Sequence, residues 1–248
     1  MWRAVEVLAE SPSTNAVVAD RARTGEDEGL VVVAEHQTSG RGRLDRVWVT
    51  PPRAALTFSF LVTPRGVPAD RWPWLPLLTG IAVSEAVRRV ASVESDLKWP
   101  NDVLVADSKL AGILVERVEG GRGPAAVVGV GLNVSSSRAE LPVATATSLA
   151  LEGAATLDRS VVLRQVLRTF EALYAQWQAE WGNADEGLLD SYTRRCVTLG
   201  RRVRVDLPTG EQVSGEATAI DGAGRLQVRT ATGMRVLGAG DVVHVRSG

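Results

Sequence analysis

The stretch SDLKWPNDVLVADSKLAGILVERV, residues Ser95 to Val118, decides the fold class. It divides into SDLKW, DVLVA and KLAGILVERV, short apolar runs separated by tight polar turns, and AAVVGVGLNV follows close behind. Runs of this length bounded by turn residues predict paired strands, so the middle of the chain reads as a meander. Pro100 holds Trp99 extended and Asn101-Asp102 favours a turn, which leaves a polar corner between two strands. The same stretch contains Lys98 and Lys109, the only lysines among 28 Lys and Arg. Codon bias toward arginine accounts for the scarcity, but not for which two positions keep a lysine. A compact, mobile ammonium suits a place where a flat guanidinium fork does not fit. A lone charge beside LAGIL also needs an anionic partner or a sheet edge.

Working outward, WRAVEVL is strand-like, and SPSTNAVVADRARTG predicts a helix capped by Ser13 or Thr14 and ended by Gly25. LVVVAE (30–35) and ALTFSFLV (55–62) read as strands, and the apolar spacing from Trp74 through Leu78, Ile81 and Val87 predicts a helix ending near Ala91. Val166, Phe170, Tyr174, Trp177 and Trp181 recur at helical spacing and predict one long amphipathic helix from Ser160 to Trp181, with a core role for its aromatics. Beyond Gly200, RRVRVDL, EQVSGEATAI, GRLQVRT, GMRVLG and DVVHVR are short strands joined by glycine-bearing turns, as in a small antiparallel barrel. The predicted class is α+β, a mixed sheet with flanking helices over residues 1–199 and a small β-barrel over 200–248.

The 248 residues are 45% hydrophobic and 23% charged, ordinary for a globular chain with a sizeable core. A formal net charge of -1 gives no general attraction to nucleic acid or to an anionic membrane, so a bound anion must be met by a local cluster. With one cysteine, Cys196, no internal disulfide forms, which points to a reducing cytoplasm. Two distant histidines and no CxxC argue against a dedicated zinc site. Glu6 and Glu10 interrupt any signal-peptide core, and no apolar run reaches the roughly 18 residues of a membrane span. An exposed sheet edge would offer a route to a homodimer.

SGRGRLDRVW, Ser39 to Trp48, sets Gly40 and Gly42 among Arg41, Arg43 and Arg46. The glycines let backbone amides turn toward a ligand, and the arginines add fixed positive charge. Such a loop suits a phosphate or carboxylate, and equally a solvated basic turn. GxxxxGK[ST] is absent, so a nucleotide would be held without a P-loop. Both this loop and SSSRAELPVATA, Ser135 to Ala146, look too polar to be rigid when empty, and are expected to close over a bound intermediate.

In order along the chain, STN (13–15), EHQTSGRGRLDRVW (35–48), KWPNDVLV (98–105), KLAGILVE (109–116), VGVGLNV (128–134) and ATSL (146–149) together resemble the biotin protein ligase family. The resemblance covers nearly the whole chain. It implies a class II synthetase-like catalytic domain followed by an SH3-like barrel. It also implies an ATP-dependent ligase that converts biotin to biotinyl-5'-adenylate and passes it to a lysine of a biotin carboxyl carrier protein. ATP and biotin are then substrates, with Mg2+ expected beside the nucleotide. With STN at position 13 there is no room ahead of it for a DNA-reading domain, so no nucleic acid partner is expected.

On the matching positions the resemblance implies catalytic roles for Arg43 and Lys109, where preorganised cations offset the repulsion between carboxylate and α-phosphate. Biotin is expected to meet Ser13, Thr14, Asn15, Gln37, Arg41, Gly42 and Gly112 as well as those two. ATP is expected to meet Arg41, Arg43, Arg46, Asn101, Asp102, Lys109 and Asn133, with Trp48 either against adenine or simply in the core. Lys98 either orients its corner or contacts the nucleotide. Asp102 has three readings: holding Lys109, holding magnesium, or orienting the incoming lysine. The nearest rivals are a lipoate or octanoate ligase, whose RRxSGGG-type segment is absent, and a noncatalytic biotin sensor.

Overall fold

A computed structural model describes residues 1–43, 46–184 and 186–245. Leu44 and Asp45 of the glycine- and arginine-rich loop, and Arg246 of the last predicted strand, lie outside the described residues. In chain order come β1 (Ala4–Leu8), α1 (Thr14–Arg23), β2 (Leu30–Ala34), the short pair β3 (Gly40–Arg41) and β4 (Val47–Trp48), β5 (Ala55–Val62) and α2 (Trp74–Ala91). They are followed by β6 (Asp96–Lys98), β7 (Asp102–Val105), β8 (Ser108–Gly120), β9 (Gly123–Asn133), α3 (Arg159–Ala179) and α4 (Glu186–Thr193). The remaining strands are β10 (Arg202–Asp206), β11 (Gln212–Ile220), β12 (Leu226–Thr230), β13 (Gly233–Leu237) and β14 (Asp241–His244).

Seven strands form one sheet in the order β1-β2-β5-β9-β8-β7-β6. The expected meander is its run from β6 to β9, each strand antiparallel to the next. At the far edge β1 pairs parallel with β2, and α1 makes the crossover, so the sheet is mixed. Period-two alternation assigns the faces. Val32, Leu61, Val118 and Val127 pack under Val18, Ala19 and Ala22 of α1. Val33, Phe58, Phe60, Val128 and Val130 face α2 and α3 on the other side. Strands buried on both faces read as continuous apolar runs, as LVVVA and ALTFSFLV do.

The helix expected to reach Trp181 stops at Ala179. Trp181 donates its N–H to Gln178 O at 3.0 Å and Gly182 donates to Trp177 O at 2.9 Å, the bond pair of a Schellman C-cap. That cap needs a left-handed residue, and the place falls on Trp181, with φ of 54° and 69% of its surface exposed. The short α4 was not anticipated; its Tyr192 packs edge-on to Trp74 at 6.3 Å.

The last five strands form an antiparallel sheet in the order β13-β12-β11-β10-β14, consistent with the SH3-like barrel, with no closing pair between β13 and β14 among the described residues. It is docked tightly on the rest. Trp74 Nε1 donates to Gly222 O at 2.9 Å and Trp99 Nε1 to Gly224 O at 3.0 Å. Val203, Val205, Val213 and Leu226 belong to the same continuous core as α2 and α3.

Candidate functional site

On the α1 face, the strand register lines up Thr57, Gly131, Gly112 and Asp102 across β5, β9, β8 and β7. The two glycines of this row form a bare floor. A Cβ on Gly131 would overlap the Trp48 indole, and one on Gly112 would stand 3.1 Å from Lys109 Cε and 3.4 Å from Trp48 Cζ3. Glycine is thus required at Gly131 to let the Trp48 ring lie down on the sheet. Trp48 Nε1 is buried there without a protein partner, and the ring lines a cavity of about 1040 Å³.

Lys109 reaches this face through an irregularity in β8. Regular alternation back from Gly112 would turn Lys109 to the core. Instead the register slips between Val103 and Leu104, so that Gly112 faces Asp102 while Lys109 faces Leu104. One extra residue re-aims the strand, as bulges do. Leu110 and Ala111 are both fully buried, and Lys109 returns to the cavity side. Its Nζ lies 2.5 Å from Asp102 Oδ1, an ion pair by distance although not an aligned hydrogen bond. The backbone of Lys109 is held by Thr145 and Thr147 of the following loop, at 2.7 and 2.9 Å. That loop, expected to be slack, is tied further by Arg138 to Ala146 O at 2.6 Å and by Ser137 to Glu140 at 2.8 Å.

At the other end of the cavity stands the first turn of α1. Gln37 Oε1 accepts from Thr14 N at 2.8 Å and from Thr14 Oγ1 at 3.1 Å, and its Nε2 has no partner among the described residues. Ser13 caps the helix without a side-chain bond, and it lines the cavity with no side-chain partner among the described residues. Asn15 lines the cavity and is bonded to its neighbours. Its Oδ1 accepts from Ser59 at 2.6 Å and its Nδ2 donates to Glu116 at 2.6 Å, so it braces the pocket and has little left for a ligand. Glu116 also receives Arg41 at 3.3 Å.

Asn101 pins the corner after β6, donating to Ile113 O at 2.7 Å. Its Oδ1 lies 3.5 Å from Arg43 Nη1. Arg43 makes no ion pair among the described residues, and burial pushes its guanidinium below the usual range despite Asp241 and Asp102 nearby. A cation withdrawn from water without a salt bridge is a seat for an anion. Arg46, expected at the nucleotide, is paired with Asp241 of β14 and ties the loop to the C-terminal sheet. Asn133 Nδ2 donates to Thr147 O at 2.9 Å.

Every residue expected at the site lines this one cavity: Ser13, Thr14, Asn15, Gln37, Arg41, Gly42, Arg43, Arg46, Trp48, Asn101, Asp102, Lys109, Gly112 and Asn133. So does Lys98, and so both lysines of the chain meet here. Among the described residues, seven arginine or lysine side chains and three aspartates line the cavity of a chain whose net charge is -1. Among the described residues no group of three or more His, Cys, Asp or Glu is arranged to hold a metal ion. The residues therefore supply no dedicated cage for Mg2+. None is needed by a cation that arrives on nucleotide phosphates, which keeps most of its ligands from phosphate and water.

Two family models match the chain: the biotin/lipoate A/B protein ligase family over residues 7–133, and the biotin protein ligase C terminal domain over residues 198–245. The biotin–[acetyl-CoA-carboxylase] ligase of Mycobacterium tuberculosis is 44% identical over 249 residues, covering 99% of this chain and 90% of its own. This chain belongs to the biotin protein ligase family. Among further relatives of this biotin protein ligase, the bifunctional ligase/repressor BirA of Bacillus subtilis is 31% identical, across 93% of this chain and 70% of its own. The structure of the Aquifex aeolicus biotin protein ligase in complex with biotin and ATP superposes with a TM-score of 0.81 at 27% identity, over 99% of this chain and 100% of that one.

Sequence reasoning missed one residue that braces the lining of the biotin protein ligase cavity, Glu116, and three that line it. Glu116 lies within KLAGILVE, an even number of residues from Gly112, and strand alternation alone would have turned it toward α1. Arg201, Asp241 and His244 carry no such signal, because they enter the cavity only when the second sheet docks. His244 is pushed down to about 4, first by burial and then by Lys98 and Arg201. Its Nδ1 lies 3.2 Å from Arg201 Nη1, which must donate, so the neutral ring carries its proton on Nε2.

Proposed function

We propose that residues 1–199 bind biotin and ATP, that residues 200–248 complete the nucleotide end, and that the protein biotinylates a lysine of an acetyl-CoA carboxylase carrier domain. The observation that carries this reading is Arg43: a half-buried cation without an ion pair among the described residues, lining the same cavity as Lys109 and its glycine floor. In the first step a biotin carboxylate oxygen attacks the α-phosphorus of ATP, and pyrophosphate leaves. Arg43 and Lys109 hold the two anions together and take up charge as it shifts. Asp102, paired with Lys109, positions the ammonium. Ser13 and Gln37 present a hydroxyl and an amide donor to the ureido ring, while Thr14, Asn15, Arg41 and Glu116 brace them. Gly42 and Gly112 admit the ligand close to the backbone, and Trp48 forms a wall for the adenylate. Asn101 and Asn133 hold the edges of the phosphate end. In the second step the ε-amine of the carrier lysine attacks the acyl carbon of the mixed anhydride and AMP leaves. Mg2+ carried by ATP would neutralise phosphate charge.

Work in a reducing cytoplasm, without DNA binding, belongs to the same proposal. So does a homodimer through an outer strand such as β1, which exposes Val5 and Val7. No helix among the described residues is long and apolar enough to cross a membrane. The deciding measurement is pyrophosphate exchange into ATP with biotin, lipoate or octanoate supplied singly. Exchange with biotin alone is expected. Exchange with lipoate or octanoate would move the protein to those ligases, and biotin binding with no exchange would make it a sensor.

A further inference from the structure

A ureido ring carries two N–H donors as well as its carbonyl oxygen, and Ser13 and Gln37 answer only the oxygen. The acceptor side begins at Glu116 of β8. Asn15 of α1 is sunk onto the sheet over Gly129, where a Cβ would overlap its Oδ1, so the glycine makes room for the amide. Asn15 Nδ2 donates to Glu116 Oε2 at 2.6 Å and, at the long limit of 3.4 Å, to Leu114 O. Its Oδ1 meets Ser59 Oγ of β5 at 2.6 Å, and Ser59 Oγ lies 2.7 Å from Thr14 Oγ1. Thr14, Asn15 and Ser59 are all buried, so the four groups must satisfy one another.

Counting protons along this chain gives it a direction. A carboxylate only accepts, so Glu116 requires the NH2 end of Asn15. The carbonyl end then faces Ser59, whose single proton goes to it. Ser59 can now only accept, and Thr14 has one proton for two acceptors, Ser59 Oγ at 2.7 Å and Gln37 Oε1 at 3.1 Å. The nearer takes it. Thr14 Oγ1 is left with lone pairs alone for anything that enters the cavity it lines. Arg41 donates to the same Glu116 oxygen at 3.3 Å, which ties the glycine- and arginine-rich loop to the head of the chain.

We propose that Glu116 is a positioning residue that sets the specificity for biotin: its carboxylate fixes the direction of the chain through Asn15 and Ser59, and so makes Thr14 Oγ1 an acceptor for one ureido N–H. This rests on the biotin reading above. A residue that need not touch the ligand thereby decides whether the pocket takes a donor or an acceptor at that place.

The test uses the full-length chain and calorimetry with biotin and with its two cyclic carbamates, in which one ureido N–H or the other is replaced by oxygen. The wild type should bind one carbamate about 10- to 100-fold more weakly than biotin, because that oxygen faces lone pairs with no proton between. Glu116→Leu frees Asn15 to turn, and Ser59→Ala releases the Thr14 proton toward the ligand. In both variants the ratio should fall below about five-fold, the scale of one ordinary hydrogen bond. Glu116→Gln should keep the wild-type ratio, since Arg41 and Asn15 donate to the same oxygen and so hold a carbonyl there. Biotin and carbamates weakened by one common factor in Glu116→Leu would mean that Glu116 only supports α1, and that overturns the proposal. Ser59→Ala deletes one buried hydroxyl and still decides if Glu116→Leu fails to fold. A wild type that binds biotin but is indifferent to both carbamates would overturn this proposal alone, whereas one that binds no biotin would overturn the biotin reading with it.

Discussion

Replacing Lys109 with alanine removes a preorganised cation at the reacting centre and should cost roughly 10²- to 10³-fold in adenylation. Stopped-flow measurement of adenylate formation checks it, and wild-type turnover would displace the catalytic centre from Lys109. Lys109→Arg should also be impaired, because the lysine stem runs 3.1 Å from the Cβ position of Gly112 and its ammonium fits against Asp102. At this scale much was legible. Residues spread from Ser13 to Asn133 carry recognisable spacing and do converge on one cavity. What a side chain does once there was less so. Asn15, expected at the ligand, lines the cavity but is also bonded to Ser59 and Glu116, which lie on other strands and so give no sign in its own segment. Asp102 had three readings, of which the structure shows the ion pair with Lys109.

Among the elements, period-two and helical spacing located the strands and the long helices, because each buries one face or both. Periodicity does not say where a strand slips. The extra residue at Leu110–Ala111 brings Lys109 to the cavity face, yet KLAG reads as unbroken strand. Nor does it say where a helix stops when the cap residue is atypical. Trp181 occupies the left-handed place that glycine usually takes, and the glycine comes one residue later. Left-handed backbone costs a side chain-bearing residue about 1–2 kcal/mol. Trp181→Gly should therefore raise stability by about 1 kcal/mol, some of the relief being offset by lost contact with Gly66 and by glycine's greater freedom when unfolded. Urea unfolding of the two chains checks this. A destabilised variant would show that the indole's packing outweighs the strain.

For the whole molecule, the composition change near Leu199 announced a second unit but not how closely it is joined. Its valines share one core with α2 and α3, and two tryptophan indoles of the first unit donate into its turns. The junction also brings a titrating group into the structure. His244 ordinarily titrates at 6.5 and here at about 4. Between these values the unfolded chain binds a proton that the folded chain refuses, so stability rises with pH across the window and is lost as pH falls from about 6.5 toward about 4. The groups facing His244 are Lys98, Arg201, Asp107 and Thr198, and the two cations outweigh the one carboxylate. His244→Gln keeps a polar side chain but removes the titration. Thermal unfolding of both chains at pH 7 and pH 5 should show the wild type losing more than the variant on acidification. Equal losses would mean that the junction admits a charged imidazole freely, and that the ring stands in water more than its neighbours imply.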